Sequence, residues 1–99
     1  MKVLLVCAGG MSTSVLMKKM EKYADSKGID LEVAALGVGQ LRDVSAYDVV
    51  LLGPQISYQK DAVRKKIGDK PMAVIEMQDY GLGNCEHIFA LIDSTLAGR

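Results

Sequence analysis

The sequence has few of the residues that build metal sites, disulfide frameworks or nucleic-acid surfaces. It contains two cysteines, one histidine and no tryptophan. Without a Cys-x-x-Cys motif or a Cys/His cluster, neither a structural zinc site nor a disulfide framework is expected, and both cysteines are predicted to be thiols. Twelve basic residues balance twelve acidic ones, which argues against a nucleic-acid binder and against attachment to anionic lipid by bulk charge.

Long apolar runs are also absent. None approaches the roughly 20 residues that span a bilayer. The apolar run after Lys2 is interrupted at Ser12 before a signal-peptide core of about 7–15 residues is complete. The 99 residues are 49% hydrophobic, enough for one domain with its own core. We therefore expect a single cytoplasmic domain over residues 1–99, with no cofactor, no metal and no direct membrane insertion.

Apolar runs and helical patterns alternate along the chain. Strands are predicted at 2–7, 31–36, 48–52 and 72–76, and helices at 13–26, 58–67 and 84–97, with a helical turn at 40–44 and a loop at 77–83. Ser12 or Thr13 is the predicted N-cap of the first helix, and Gly28 its end. This alternation predicts an α/β fold with a four-stranded parallel sheet, order 2-1-3-4, and helices on both faces, of the flavodoxin-like or phosphatase-like type.

Ligands of such sheets bind beyond the carboxyl ends of the strands, at the point where the strand order reverses. In this order that point lies between the first and third strands. Cys7 ends the first strand, and the segment from Gly53 to Tyr58 follows the third. The predicted rim of the crevice comprises Pro54, Gln55, Tyr58 and Tyr80.

Cys7 is the predicted nucleophile. A Gly/Ser-rich segment follows it and leads into a helix, so backbone N–H groups and the helix dipole can converge on a phosphate and can also favour the thiolate. The predicted phosphate-binding residues are Ala8, Gly9, Gly10, Met11, Ser12, Thr13 and Ser14. A nucleophile inside a phosphate-binding loop indicates that the sulfur itself accepts a phosphoryl group.

The chain resembles the enzyme IIB component of the bacterial sugar phosphotransferase system, lactose/cellobiose class. The resemblance rests on the stretch Cys-Ala-Gly-Gly-Met-Ser-Thr-Ser from Cys7, on Leu-Gly-Pro-Gln at 52–55 and on Asp-Tyr-Gly at 79–81. It implies that Cys7 takes phosphate from a phosphohistidine of an enzyme IIA partner. It further implies transfer to a sugar held by a membrane enzyme IIC, which mainly sets sugar specificity. A transient partner surface of this kind predicts a monomer.

Two other functions stay open. Low-molecular-weight cysteine phosphatases use a Cys-x5-Arg-Ser/Thr motif in a similar architecture, but here that count reaches Thr13 and the arginine is missing. Arginine would clamp the phosphate oxygens, so a phosphocysteine without it should hydrolyse slowly. A non-catalytic anion-binding module is the third possibility.

Several other residues are interpreted as structural or solvent-exposed rather than functional. Cys85 is predicted to be a partly buried thiol without a role, too far from Cys7 for a disulfide, and His87 a surface histidine. Asp79 is read as a solvated loop carboxylate, with a leaving-group acid as the alternative. Lys18 and Lys19 are read as part of a solvated helix face.

Overall fold

The computed structural model describes residues 1–7 and 11–98, and the backbone alone for residues 11–13. Its centre is a parallel sheet of β1 (Lys2–Cys7), β2 (Glu32–Gly37), β3 (Val49–Leu52) and β4 (Met72–Val74). The strand order is β2-β1-β3-β4, which confirms the predicted topology. In register, Cys7 is opposite Gly37, and Val6 is opposite Leu52.

The sheet is covered on both faces because its strands are apolar on both faces. Helices α1 (Met11–Lys27) and α4 (Cys85–Ala97) pack on one face, and α2 (Lys60–Ile67) packs on the other. On the first face the fully buried contacts include Val3, Leu51, Met20 and Ile92. On the second they include Leu4, Val50, Ile56 and Val63. Truncating one of these leucines to alanine is expected to cost about 3 kcal/mol.

Helix α1 begins earlier than the sequence indicates. Because Met11 already has helical backbone, Ser12 and Thr13 lie inside the helix, and the prediction that one of them is the N-cap is wrong. The predicted end is confirmed, since Gly28 has a φ of 68° and Ile29 N–H returns to the carbonyl of Ala24.

Two short 3₁₀ segments replace predicted features. The turn expected at 40–44 lies instead at Val38–Gln40. Leu41 and Val44 are buried against the α2 face of the sheet, so the chain there is held by apolar anchors rather than by a helical turn. A second 3₁₀ segment, Pro54–Gln59, precedes α2 and moves the start of that helix from 58 to 60.

The predicted loop at 77–83 is mostly helix, so that prediction is wrong. Helix α3 spans Met77–Leu82 and contains Gly81. Gly83 ends it in the left-handed region, at φ 62° and ψ 41°, with its N–H bonded to the carbonyls of Asp79 and Tyr80. Asn84 then caps α4 by accepting from His87 N–H at 3.3 Å. A glycine in a helix costs only about 1 kcal/mol, and these contacts offset it.

Within the described part of the chain, no helix is long and apolar enough to cross a membrane.

Candidate active site

Cys7 lies at the carboxyl end of β1, where the strand order reverses. Its side chain is only 6% exposed. The Sγ atom lies 3.9 Å from the carbonyl oxygen of Leu36, to which the thiol donates. Cys7 and Cys85 are both thiols, as predicted.

The end of β3 lies directly beside Cys7, as the topology predicts. Gly53 N–H donates to the carbonyl of Val6 at 2.9 Å. A Cβ atom at Gly53 would lie 3.7 Å from Cys7 Cβ, 3.6 Å from Tyr80 Cε2 and 3.1 Å from Gln55 Oε1. Gly53 therefore lies within van der Waals reach of both Cys7 and Tyr80, and an added Cβ would press only on Gln55.

One open side of the crevice is a cleft of about 640 Å³, here called the Cys7 cleft. Its lining comes from β1, the turn after β2 and the 3₁₀ segment after β3: Cys7, Gly37, Val38, Gly39, Gln40, Ile56, Tyr58 and Gln59. Tyr58 is 80% exposed, and its hydroxyl accepts from Gln59 Nε2 at 3.0 Å. Gly37 N–H donates to Gln40 Oε1 at 3.1 Å. The lining side chains thus offer a thiol, a phenol and two carboxamides.

A second cavity of about 330 Å³ lies between α1 and α3, here called the Tyr80 pocket. It is lined by Val15, Leu16, Lys19, Gln55, Tyr80, Gly81 and Gly83. Lys19 Nζ donates to the carbonyl of Leu82 at 3.5 Å. The predicted rim is therefore divided. Tyr58 borders the Cys7 cleft, Gln55 and Tyr80 border the Tyr80 pocket, and half-buried Pro54 begins the segment between them.

Most of the predicted phosphate-binding loop lies outside the part of the chain that the structure describes. Ala8, Gly9 and Gly10 lie outside the described residues, as do the side chains of Met11, Ser12 and Thr13. The backbone of 11–13 forms the first turn of α1, and Ser14 is exposed in the same helix. The N-terminus of a 17-residue helix therefore follows Cys7 after three residues, and helix N-termini attract anions through their N–H groups and dipole.

The prediction that Asp79 is a solvated loop carboxylate is wrong. Its side chain is 17% exposed, and its Oδ1 lies 2.9 Å from Nδ1 of His87, which is 64% exposed. The two residues line a groove with Val74, Glu76 and Leu91, among others, rather than the Cys7 cleft or the Tyr80 pocket. Because α3 and α4 bring them together over eight residues of sequence, the contact depends on the helix that was predicted as a loop.

Cys85 is the buried first residue of α4. Burial raises the pKa of the Cys85 thiol, and the positive charge of Lys19 partly opposes this shift. The burial of Cys85 agrees with the prediction of a buried thiol. Among the residues that the structure describes, no three His, Cys, Asp or Glu side chains are grouped closely enough to hold a metal ion.

Three polar side chains in the two linings were not predicted as site residues from the sequence. Gln40 and Gln59 carry no recognisable spacing signal. Lys19 was assigned to a solvated helix face. It is exposed, but it also lines the Tyr80 pocket through its contact with the end of α3, 63 residues away in the chain. Only the tertiary structure could show that contact.

Known proteins are similar in sequence to most of this chain. Residues 2–91 match the family described as "PTS system, Lactose/Cellobiose specific IIB subunit". The galactose-specific EIIB component of Lactococcus lactis subsp. cremoris is 39% identical over 102 residues, covering 95% of this chain and 94% of the relative. The lactose-specific EIICB component of Lacticaseibacillus casei is 36% identical over 69 residues, covering 69% of this chain and 12% of that protein.

The fold has a solved counterpart as well. The solution structure of a cellobiose-specific phosphotransferase IIB component from Borrelia burgdorferi superposes with a TM-score of 0.78 at 38% identity, covering 99% of this chain and 93% of the other. Family match, identity and topology agree with the motif that begins at Cys7. The chain therefore belongs to the lactose/cellobiose-specific IIB family of the sugar phosphotransferase system, whose members are phosphotransferase components.

Proposed function

We propose that Cys7 carries a phosphoryl group between two protein partners during sugar uptake. The donor is a phosphohistidine of enzyme IIA, and the acceptor is a sugar bound by the membrane enzyme IIC. The observation that carries the proposal is the position of Cys7. It lies at the strand-order reversal, beside Gly53, and four residues before Met11, the first residue of α1.

Two displacements at phosphorus make up the cycle. In the first, the Cys7 sulfur attacks phosphorus, an S–P bond forms, the N–P bond to the donor histidine breaks, and the thiol proton ends on the histidine nitrogen that leaves. In the second, a sugar hydroxyl attacks, an O–P bond forms, and the S–P bond breaks. Phosphoryl transfer needs in-line positioning and neutralisation of negative charge more than it needs covalent machinery.

Backbone amides supply that neutralisation in our proposal. The phosphate-binding residues are Ala8, Gly9, Gly10, Met11, Ser12, Thr13 and Ser14, through their N–H groups and the three hydroxyls. Residues 7–17 contain no Asp, Glu, Lys, Arg or His, so no side-chain charge of this segment competes with the phosphate. The helix dipole at the start of α1 adds a favourable field.

A carrier must not lose its phosphate to water. The position of a phosphatase arginine is occupied by Thr13. Of the described arginines, Arg64 donates to the carbonyls of Gly68 and Lys70, and none lines the Cys7 cleft or the Tyr80 pocket. Without a bidentate clamp on the phosphate oxygens, phospho-Cys7 should survive until an acceptor arrives.

The partners follow from the family. The relative from Lacticaseibacillus casei is named as an EIICB component. This name supports the proposal that a membrane-embedded IIC binds the acceptor sugar. We infer that residues 1–99 act as one cytoplasmic domain at the membrane face of that permease, as a monomer and without a metal or cofactor. The relatives and the solved structure are named for galactose, lactose and cellobiose.

The proposal is tested by following phosphate through the protein. The wild type, Cys7→Ser and, as a matched control, Cys85→Ser are incubated with phosphorylated enzyme IIA. Wild type and Cys85→Ser should become labelled and hold the label after the donor is removed, whereas Cys7→Ser should take up no label. Rapid release of inorganic phosphate from wild type would instead support a phosphatase. Absence of label in every variant would support a non-catalytic anion-binding module.

A further inference from the structure

The Cys7 cleft borders on chain segments without charged side chains. The segments that reach the carboxyl ends of β1, β2 and β3 are residues 7–17, 33–41 and 49–59, and none contains Asp, Glu, Lys, Arg or His. A cation reaches the border from α2, where Lys66 Nζ donates to the carbonyl of Val38 at 3.3 Å. The cleft itself is therefore suited to a neutral polar molecule rather than to a charged peptide.

The side chains of the cleft match the chemistry of a sugar. Tyr58 presents an exposed aromatic ring, and its hydroxyl is held by Gln59. The carboxamide oxygen of Gln40 is used by Gly37 N–H, so Gln40 can offer its NH₂ group to a ligand. A flat apolar ring together with a few placed hydrogen-bonding groups is the usual composition of a small-molecule site, and it fits the apolar face and the hydroxyls of a pyranose.

The cleft also has the required size and position. Its volume of about 640 Å³ lies within the range of about 300–1,000 Å³ that is common for small-molecule sites. Cys7 is one of its lining residues. A hydroxyl that attacks phosphorus must come within about 3–3.5 Å of it, so an acceptor must enter a space that opens onto the sulfur.

We propose that the Cys7 cleft receives the glycosyl unit that is phosphorylated, so that this chain provides part of the acceptor-sugar site. The ring of Tyr58 packs against the pyranose, and Gln40 and Gln59 bind its hydroxyls. The inference rests on the proposed phosphocysteine function. Sugar recognition is then shared between this chain and the membrane partner. The Tyr58 side of the crevice rim contacts the sugar.

The transfer step balances without a further reactant. The sugar hydroxyl oxygen bonds to phosphorus as the S–P bond breaks, and the electron pair of that bond returns to sulfur. The hydroxyl proton ends on Cys7, which regains the thiol that donates to the carbonyl of Leu36. The products are a sugar phosphate and the resting protein.

The experiment separates the loading of Cys7 from the transfer to sugar. Loading is measured with phosphorylated enzyme IIA alone. Transfer is measured from the preloaded protein to sugar in vesicles that contain the IIC partner, with carrier and sugar concentrations varied independently. The variants are Tyr58→Ala, Tyr58→Phe and Gln59→Ala. Gln78→Ala, an exposed glutamine on α3, is the matched control.

Tyr58→Ala and Gln59→Ala should lower kcat/KM for sugar about tenfold or more, the effect of losing one good contact to a substrate, and should lower the rate of loading by a clearly smaller factor. The carrier concentration for half-maximal rate should not change. Tyr58→Phe should retain more activity than Tyr58→Ala because it keeps the ring. Gln78→Ala should match the wild type in every measurement.

Three results would overturn the inference while leaving phosphotransfer intact. They are unchanged sugar kinetics in Tyr58→Ala and Gln59→Ala, an equal loss in loading and transfer, or a change confined to the dependence on carrier concentration. The last result would make the cleft a protein-docking surface. A wild type that never loads at Cys7 would overturn the proposed function itself, and this inference with it.

Discussion

Gly83→Ala should destabilise the protein by about 2 kcal/mol, and the structure divides that cost into two parts. Gly83 has a φ of 62°, and a residue with a Cβ pays roughly 1–2 kcal/mol in the left-handed region. The new Cβ would also lie 2.6 Å from Cδ and 2.9 Å from Nζ of Lys19. Lys19 must therefore change rotamer and give up its 3.5 Å contact with the Leu82 carbonyl, at a further cost of up to about 1 kcal/mol.

Gly28 offers a matched control for the backbone part. Its φ is 68°, and a Cβ there would meet nothing within 4 Å, so Gly28→Ala should cost only about 1 kcal/mol. In urea unfolding, a loss of about 2 kcal/mol lowers the midpoint by about 1 M at an m-value near 2 kcal/mol/M. In a Lys19→Ala background, Gly83→Ala should cost no more than Gly28→Ala. An unchanged midpoint for Gly83→Ala, or a cost that Lys19→Ala does not relieve, would refute the packing described for the end of α3.

Three further predictions concern α3, α4 and their contacts. Gly81→Ala should raise the free energy of unfolding by up to about 1 kcal/mol because Gly81 lies within a helix and meets nothing within 4 Å; a neutral or negative change in urea unfolding would contradict a helix there. His87→Gln should change the free energy of unfolding by no more than about 1 kcal/mol, since the exposed imidazole forms only a screened contact with Asp79. The variant should also keep its phosphate uptake. Loss of uptake would show that His87 acts directly in phosphate transfer. The pKa of the Cys85 thiol is raised in the folded state. Above the ordinary thiol pKa of about 8.5, the folded protein therefore binds more protons than the unfolded chain. Its free energy of unfolding should fall as pH rises through that value. Cys85→Ala should flatten that slope in unfolding curves measured across the window, and an equal slope in both proteins would count against the shift.

The central architecture could be predicted because its signal is local and repeated. Buried runs such as Val49–Leu52 are apolar throughout, as parallel strands between two helix layers must be. The Gly-rich break after Cys7 also places that residue at a strand end. From these two features the strand-order reversal, and the meeting of Cys7 with the segment after β3, follow from topology.

The remaining features depend on tertiary contacts that no local pattern encodes. Gly81 and Gly83 suggest a loop, yet one lies within α3 and the other ends it, with Lys19 packed against the second glycine. The Asp79–His87 contact exists only because α3 and α4 are adjacent. The Cys7 cleft likewise joins carboxamides from the ends of two strands that are not neighbours in the sheet.

The most direct test of the account is to locate the phosphate. The wild-type protein is incubated with phosphorylated enzyme IIA, digested under conditions that preserve thiophosphate esters, and its peptides are sequenced by mass spectrometry. The account predicts phosphate on the sulfur of Cys7 and on no other side chain. Phosphate on His87, on Cys85 or on a hydroxyl of Ser12, Thr13 or Ser14 would contradict it.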